Sequence, residues 1–84
     1  MSMAQEELKE DRPKLFRCRW RDIVKDPGWV THEEVECPVF VSVGWLVFED
    51  ELVVKLADTI DEDGTGYGVM AIPRGVVIEL ELIA

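Results

Sequence analysis

Residues 15–21 read Leu15-Phe16-Arg17-Cys18-Arg19-Trp20-Arg21, and the alternation of this stretch decides the fold. Phe16, Cys18 and Trp20 fall on one side; Arg17, Arg19 and Arg21 fall on the other. A period of two is that of a β-strand with one face in the core and one in water. The stretch therefore predicts a first strand whose inner face is apolar and whose outer face is a row of three guanidiniums.

The rest of the chain repeats the β signal. Val76 to Ile83 predicts a last strand, with Val76, Ile78, Leu80 and Leu82 inward and Val77, Glu79 and Glu81 outward. Pro38 to Phe48 is apolar on both faces, which predicts a strand buried on both sides that bends from one sheet to another. Gly44 is the expected bend, because glycine tolerates the kink or bulge of such a corner. Leu52 to Ala57 predicts a third strand, with Leu52, Val54 and Leu56 on one face, and Tyr67 to Ile72 a fourth. Asp58 to Gly66 is the hairpin loop between them. Pro73 ends the fourth strand, since proline cannot donate to a ladder.

Two stretches depart from this period. Residues 1–13 are polar and charged and too lightly apolar to fold alone, so a disordered leader is expected there. The folded domain is then residues 14–84. Asp22 to Cys37 is irregular: Asp26-Pro27-Gly28 is a turn signal, and Thr31-x-x-Glu34 can cap one helical turn. It predicts a long loop, anchored by Trp29 or Ile23, over one end of a barrel.

Eighty-four residues make one small domain, and one of this size buries only roughly 60–65% of the surface its unfolded chain exposes. There is no room for a second domain or a deep substrate cleft, so no enzyme and no cofactor is expected. The net charge is −9, yet seven of the nine basic residues fall within residues 1–25. An acidic chain repels phosphate backbones and anionic membranes, so neither nucleic acid nor membrane is the expected partner. Cys18 and Cys37 form no disulfide framework and no zinc knuckle, and no stretch reads as a signal peptide or a membrane span. Two half-buried thiols in a cytoplasmic protein are the expectation.

The candidate site residues are Arg17, Arg19, Arg21 and Trp29. The arginine row can bind an anion bidentately. It lacks the interleaved exposed aromatics that single-strand binders stack bases on. Its other reading is internal charge balance: if first and last strands lie side by side, Arg17 and Arg19 face Glu79 and Glu81. Trp29 is either a plug over the barrel mouth or a partner contact. Asp58, Asp61, Glu62 and Asp63 before Gly64 imitate a calcium loop. Thr59 and Met70 then fall where essential oxygens are required, so no metal is expected. His32, the single histidine, could pair with a thiol as nucleophile and base, but no strained nucleophile turn accompanies it.

Five strands joined by short connections predict an all-β fold that resembles the small Src-homology-3-like and Sm-like barrels. The chain also resembles a group of short uncharacterised bacteriophage and prophage proteins. The resemblance rests on Trp20-Arg21-Asp22-Ile23, Gly44-Trp45-Leu46-Val47 and Ile72-Pro73-Arg74-Gly75-Val76-Val77, and spans roughly residues 16–83. It implies a phage or prophage setting and brings no activity with it. The expected role is a non-enzymatic protein-interaction or oligomerisation module, with an unidentified protein or further copies of the chain as partner. The alternative is a nucleic-acid binder using the arginine face.

Overall fold

The structure, a computed structural model, describes residues 12–84. Five strands form one antiparallel sheet: β1 (Leu15–Arg21), β2 (Val39–Glu49), β3 (Val53–Ile60), β4 (Gly66–Pro73) and β5 (Val77–Leu82). Two single-turn 3-10 segments interrupt them, His32–Glu34 before β2 and Arg74–Val76 between β4 and β5. The strand order is β4-β3-β2-β1-β5, so the first and last strands do lie side by side. The sheet does not close, because β4 and β5 remain its two outer strands. Barrel character is therefore only approximate. Of the leader expected at residues 1–13, only Arg12 and Pro13 belong to the described residues, and the rest lies outside them. The Arg12 guanidinium donates to the Glu62 carbonyl, which ties the entry of the domain to the β3–β4 turn.

The irregularity in β2 comes after Gly44, and within one sheet rather than between two. Residues Val39 to Trp45 pair with β1, whereas Trp45 to Glu49 pair with β3, with a register shift between Leu46 and Phe48. Gly44 itself pairs regularly with Phe16, just before the strand changes partner at Trp45. A side chain at Gly44 would place its Cβ 2.8 Å from the Ala57 carbonyl oxygen and 3.1 Å from Leu56 Cβ. The corner needs this close approach of backbones, and only glycine permits it.

The core is small. Cys18, Val54, Leu56 and Ile72 are buried together, with Phe16, Trp20, Leu46, Val76, Val77 and Leu80 packed around them. Trp20 is held by two contacts with β2: its Nε1–H donates to Ser42 Oγ at 3.0 Å, and its ring lies 5.4 Å from that of Phe40. The turns close on their own side chains. In the β3–β4 turn the Asp61 carboxylate accepts from the backbone N–H groups of Asp63 and Thr65, and from Tyr67 Oη–H at 3.2 Å. These bonds, that from Thr65 foremost, hold the Asp61 pKa below its ordinary value. The calcium-like spacing is thus turn chemistry. Among the described residues no three His, Cys, Asp or Glu side chains are grouped to hold an ion.

Several burial expectations fail, each for a local reason. The amino half of β2 is not buried on both sides: Val39, Phe40, Val41 and Val43 are exposed, Val41 at 51% and Val43 at 56%. Val39, Val41 and Val43 share the outer face with Arg21, Arg19 and Arg17, and no strand pairs with this half on the side away from β1. Leu52 belongs to the β2–β3 turn and is 79% exposed. In β5 a register shift opposite Arg19 and Trp20 turns Val77 toward the core and leaves Ile78 exposed, while Leu82 is exposed near the strand's end. Cys37 is exposed at the end of the long loop rather than half-buried.

Candidate functional site

The arginine row stands where the alternation of β1 puts it. In the β1–β5 register Arg17 lies opposite Glu81 and Arg19 opposite Glu79. Opposite residues of an antiparallel pair share a face, so the row of arginines runs beside a row of glutamates. The ion pair that forms is diagonal, from Arg17 Nη1 to Glu79 Oε1 at 3.3 Å. Arg21, beyond the last glutamate, donates instead to the Cys37 carbonyl at 3.3 Å and so pins the end of the long loop to the end of β1. On the other side of the row, Val43, Val41 and Val39 lie opposite Arg17, Arg19 and Arg21. The row runs between acid and valine, with Arg17 and Arg21 answered within the chain and Arg19 without an ion pair among the described residues.

The loop from Asp22 to Pro38 is different in kind. Its backbone is ordered by its own polar groups. Asp22 N–H donates to the Pro38 carbonyl at 2.9 Å and closes the loop's neck. The Asp26 carboxylate accepts from Gly28 N–H at 2.8 Å in an Asx turn, and Glu34 Oε2 accepts from Thr31 N–H at 3.1 Å. The capping pair expected from Thr31 and Glu34 is therefore in place, around the turn His32–Glu34.

The apolar side chains of this loop are not covered. Trp29 is fully exposed, Ile23 is 84% exposed, and Val24 and Val30 are exposed with them. This overturns the expectation that Trp29 or Ile23 anchors the loop as a plug. The reason lies in the short neck: Arg21 and Asp22 hold both ends at the rim, and the tight Asp26-Pro27-Gly28 turn carries Trp29 outward instead of back across the core. A cavity of about 200 Å³ opens at the root of the loop, lined by Arg21, Asp22, Ile23 and Cys37 on one side and Val76 and Ile78 on the other. Sequence reasoning did not find it, because its two sides are brought together only by the β1–β5 pairing. Arg74 fixes its far wall, donating to Glu49 Oε2 and to the Asp50 carbonyl.

The nucleophile pairing considered for His32 is not assembled. His32 Nε2 lies 3.1 Å from Glu33 Oε1, its own neighbour, in the exposed turn. Cys18 is buried in the core, where burial raises its thiol pKa. Among the described residues no helix is long and apolar enough to cross a membrane. No family model, curated protein or solved structure matches the chain. Geometry alone thus defines the site: an exposed apolar loop on an antiparallel β scaffold, with a small cavity at its root.

Proposed function

We infer that this chain is a non-enzymatic protein-interaction module whose contact element is the loop Ile23–Val30, with Trp29 at its centre. The observation that carries the reading is the full exposure of Trp29 on a loop whose backbone is already ordered. Tryptophan supplies a large, rigid contact area, and a preorganised loop loses little entropy when it docks. An exposed Trp with Ile23, Val24 and Val30 around it has no use in the stability of the free chain. The cavity at the loop's root, apolar on the Val76 and Ile78 side and edged by Arg21, suits one apolar side chain of the partner.

Nucleic acid is the less supported partner. The glutamates beside Arg17 and Arg19 repel phosphates from the basic strip, and Trp29, the most exposed aromatic among the described residues, lies on the loop rather than on that strip. A reducing cytoplasm and a phage or prophage setting belong to the same proposal, resting on the two free thiols and on the motifs quoted above.

The test is photocrosslinking in the producing cell, from a benzophenone amino acid placed at position 29 and, as control, at the exposed Leu52. The captured protein is then purified and titrated against wild type and Trp29→Ala. A partner captured from position 29 and not 52, with affinity reduced roughly 30-fold or more by Trp29→Ala, supports the reading. Equal capture from both positions, or equal affinity of the two chains, overturns it.

A further inference from the structure

The sheet leaves four strand sides free among the described residues: the outer side of β4, the outer side of β5, the side of Asp58–Ile60 that faces away from β4 and begins on the charged Asp58, and the side of Val39–Val43 that faces away from β1. Natural sheets guard such edges with charge, proline or a local irregularity. The β4 edge ends on Pro73 and carries Gly68 in a left-handed conformation at φ 62°. β5 carries Glu79 and Glu81. The run Val39-Phe40-Val41-Ser42-Val43 follows Pro38 but carries no charge of its own, and four of its five side chains are exposed.

Charge selects what can lie there. Each copy bears −9, so a contact between copies is favoured where the basic strip offsets the repulsion. Two free edges lie one strand from that strip, the Val39–Val43 edge of β2 and the outer edge of β5. Of these only β5 already carries glutamates, which leaves Val39, Val41 and Val43 as the edge without acid. The chain also holds a strand suited to this edge. β5 alternates Glu79, Leu80, Glu81 and Leu82, and within its own chain it already lies against β1 with its glutamates beside these arginines. Two β5 edges meeting would set glutamate against glutamate, and two Val39–Val43 edges meeting would bring two arginine rows toward one another.

We propose that this chain self-assembles head to tail, the free edge of Val39–Val43 in one copy taking the free edge of β5 from another. Glu79 and Glu81 of the incoming strand then lie beside Val39–Val43 on the arginine face. Arg19, which has no ion pair among the described residues, gains one there. Leu80 and Leu82 of the incoming strand fall on the opposite face, beside Phe40. The contact is heterologous, so it builds rings or filaments rather than an isologous dimer. It uses neither Trp29 nor the loop, and it stands independently of the function proposed above.

The test is sedimentation of the full chain at submillimolar concentration, with three variants. Wild type sediments well above the 9.6 kDa monomer. Val41→Glu puts a like charge opposite the incoming glutamates while pairing with Arg19 of its own chain, so it folds and associates at least about tenfold more weakly. Glu79→Lys with Glu81→Lys weakens association similarly; if circular dichroism shows that it does not fold, Glu79→Gln with Glu81→Gln replaces it. Mixing Val41→Glu with the lysine variant restores assembly, because each then meets an opposite charge. Trp29→Ala leaves assembly unchanged. A monomeric wild type, an unaffected Val41→Glu, or assembly abolished by Trp29→Ala overturns the proposal. With the lysine variant folded, a mixture that fails to reassemble also overturns it and indicates an isologous contact.

Discussion

Trp20 and Trp29 belong to adjoining regions, β1 and the loop that follows it, and the chain treats them oppositely. Trp20 is packed against the core, with its indole N–H satisfied by Ser42 Oγ and its ring beside Phe40. Trp29 touches water on every side. In β1 each face is answered by the rest of the chain, the inner one by the core and the outer one by Glu79 and the Cys37 carbonyl. In the loop the backbone is answered and the side chains are not. Order and coverage are thus separate properties, and the loop has the first without the second, which is the ground of the proposed partner contact.

Substitution of the two tryptophans gives the widest separation. Trp20→Ala removes a half-buried aromatic with its hydrogen bond, and is expected to cost about 2–4 kcal/mol in urea-unfolding experiments. A loss below roughly 1 kcal/mol, within the range of ordinary surface changes and their near neighbours, breaks the comparison at its stronger end. The next effect belongs to the corner that lets β2 serve both halves of the sheet. Gly44→Ala forces a methyl against the Ala57 carbonyl, and is expected to destabilise by about 1–3 kcal/mol. An unchanged midpoint there would mean that the two half-sheets have room to separate.

The arginine row comes third. Arg17→Ala breaks the partly exposed ion pair to Glu79, worth about 0.2–1 kcal/mol at most. Glu79→Ala should match it, and the double substitution should cost less than the sum of the two, with the difference shrinking in high salt. Strict additivity in a double-mutant cycle would show that the row is solvated rather than paired, and would return it to the list of binding faces.

The strands were legible because their physics is local. Alternation in Leu15–Arg21 and the break at Pro73 follow from side-chain direction and backbone sterics, and each falls where the residues place it; the irregularity expected at Gly44 comes instead between Leu46 and Phe48. The neighbouring of β1 and β5, and with it the facing of Arg17 and Arg19 by Glu81 and Glu79, followed from likeness to small barrels rather than from any residue. Burial was less legible, because it depends on what lies across from a residue. Val39-Phe40-Val41 and Trp45-Leu46-Val47 are equally apolar, yet only the second run is partly covered; the β2–β3 pairing ends at Trp45, although β3 runs on to Ile60. The same limit hid the outward turn of Trp29 and the cavity between Arg21 and Val76.

The smallest effect on stability is the most telling about role. Trp29→Ala is expected to leave the unfolding midpoint within about 0.5 kcal/mol of wild type, since the indole touches nothing that folding buries. Its fluorescence should be that of a hydrated indole, so the variant should lose the reddest component of the emission while Trp20 and Trp45 keep theirs. If instead the substitution destabilises the chain by as much as Trp20→Ala, the loop folds back in solution and Trp29 is a plug after all. If stability is kept, the largest exposed apolar side chain of the molecule does nothing for the fold. That outcome is the one the proposed partner contact requires.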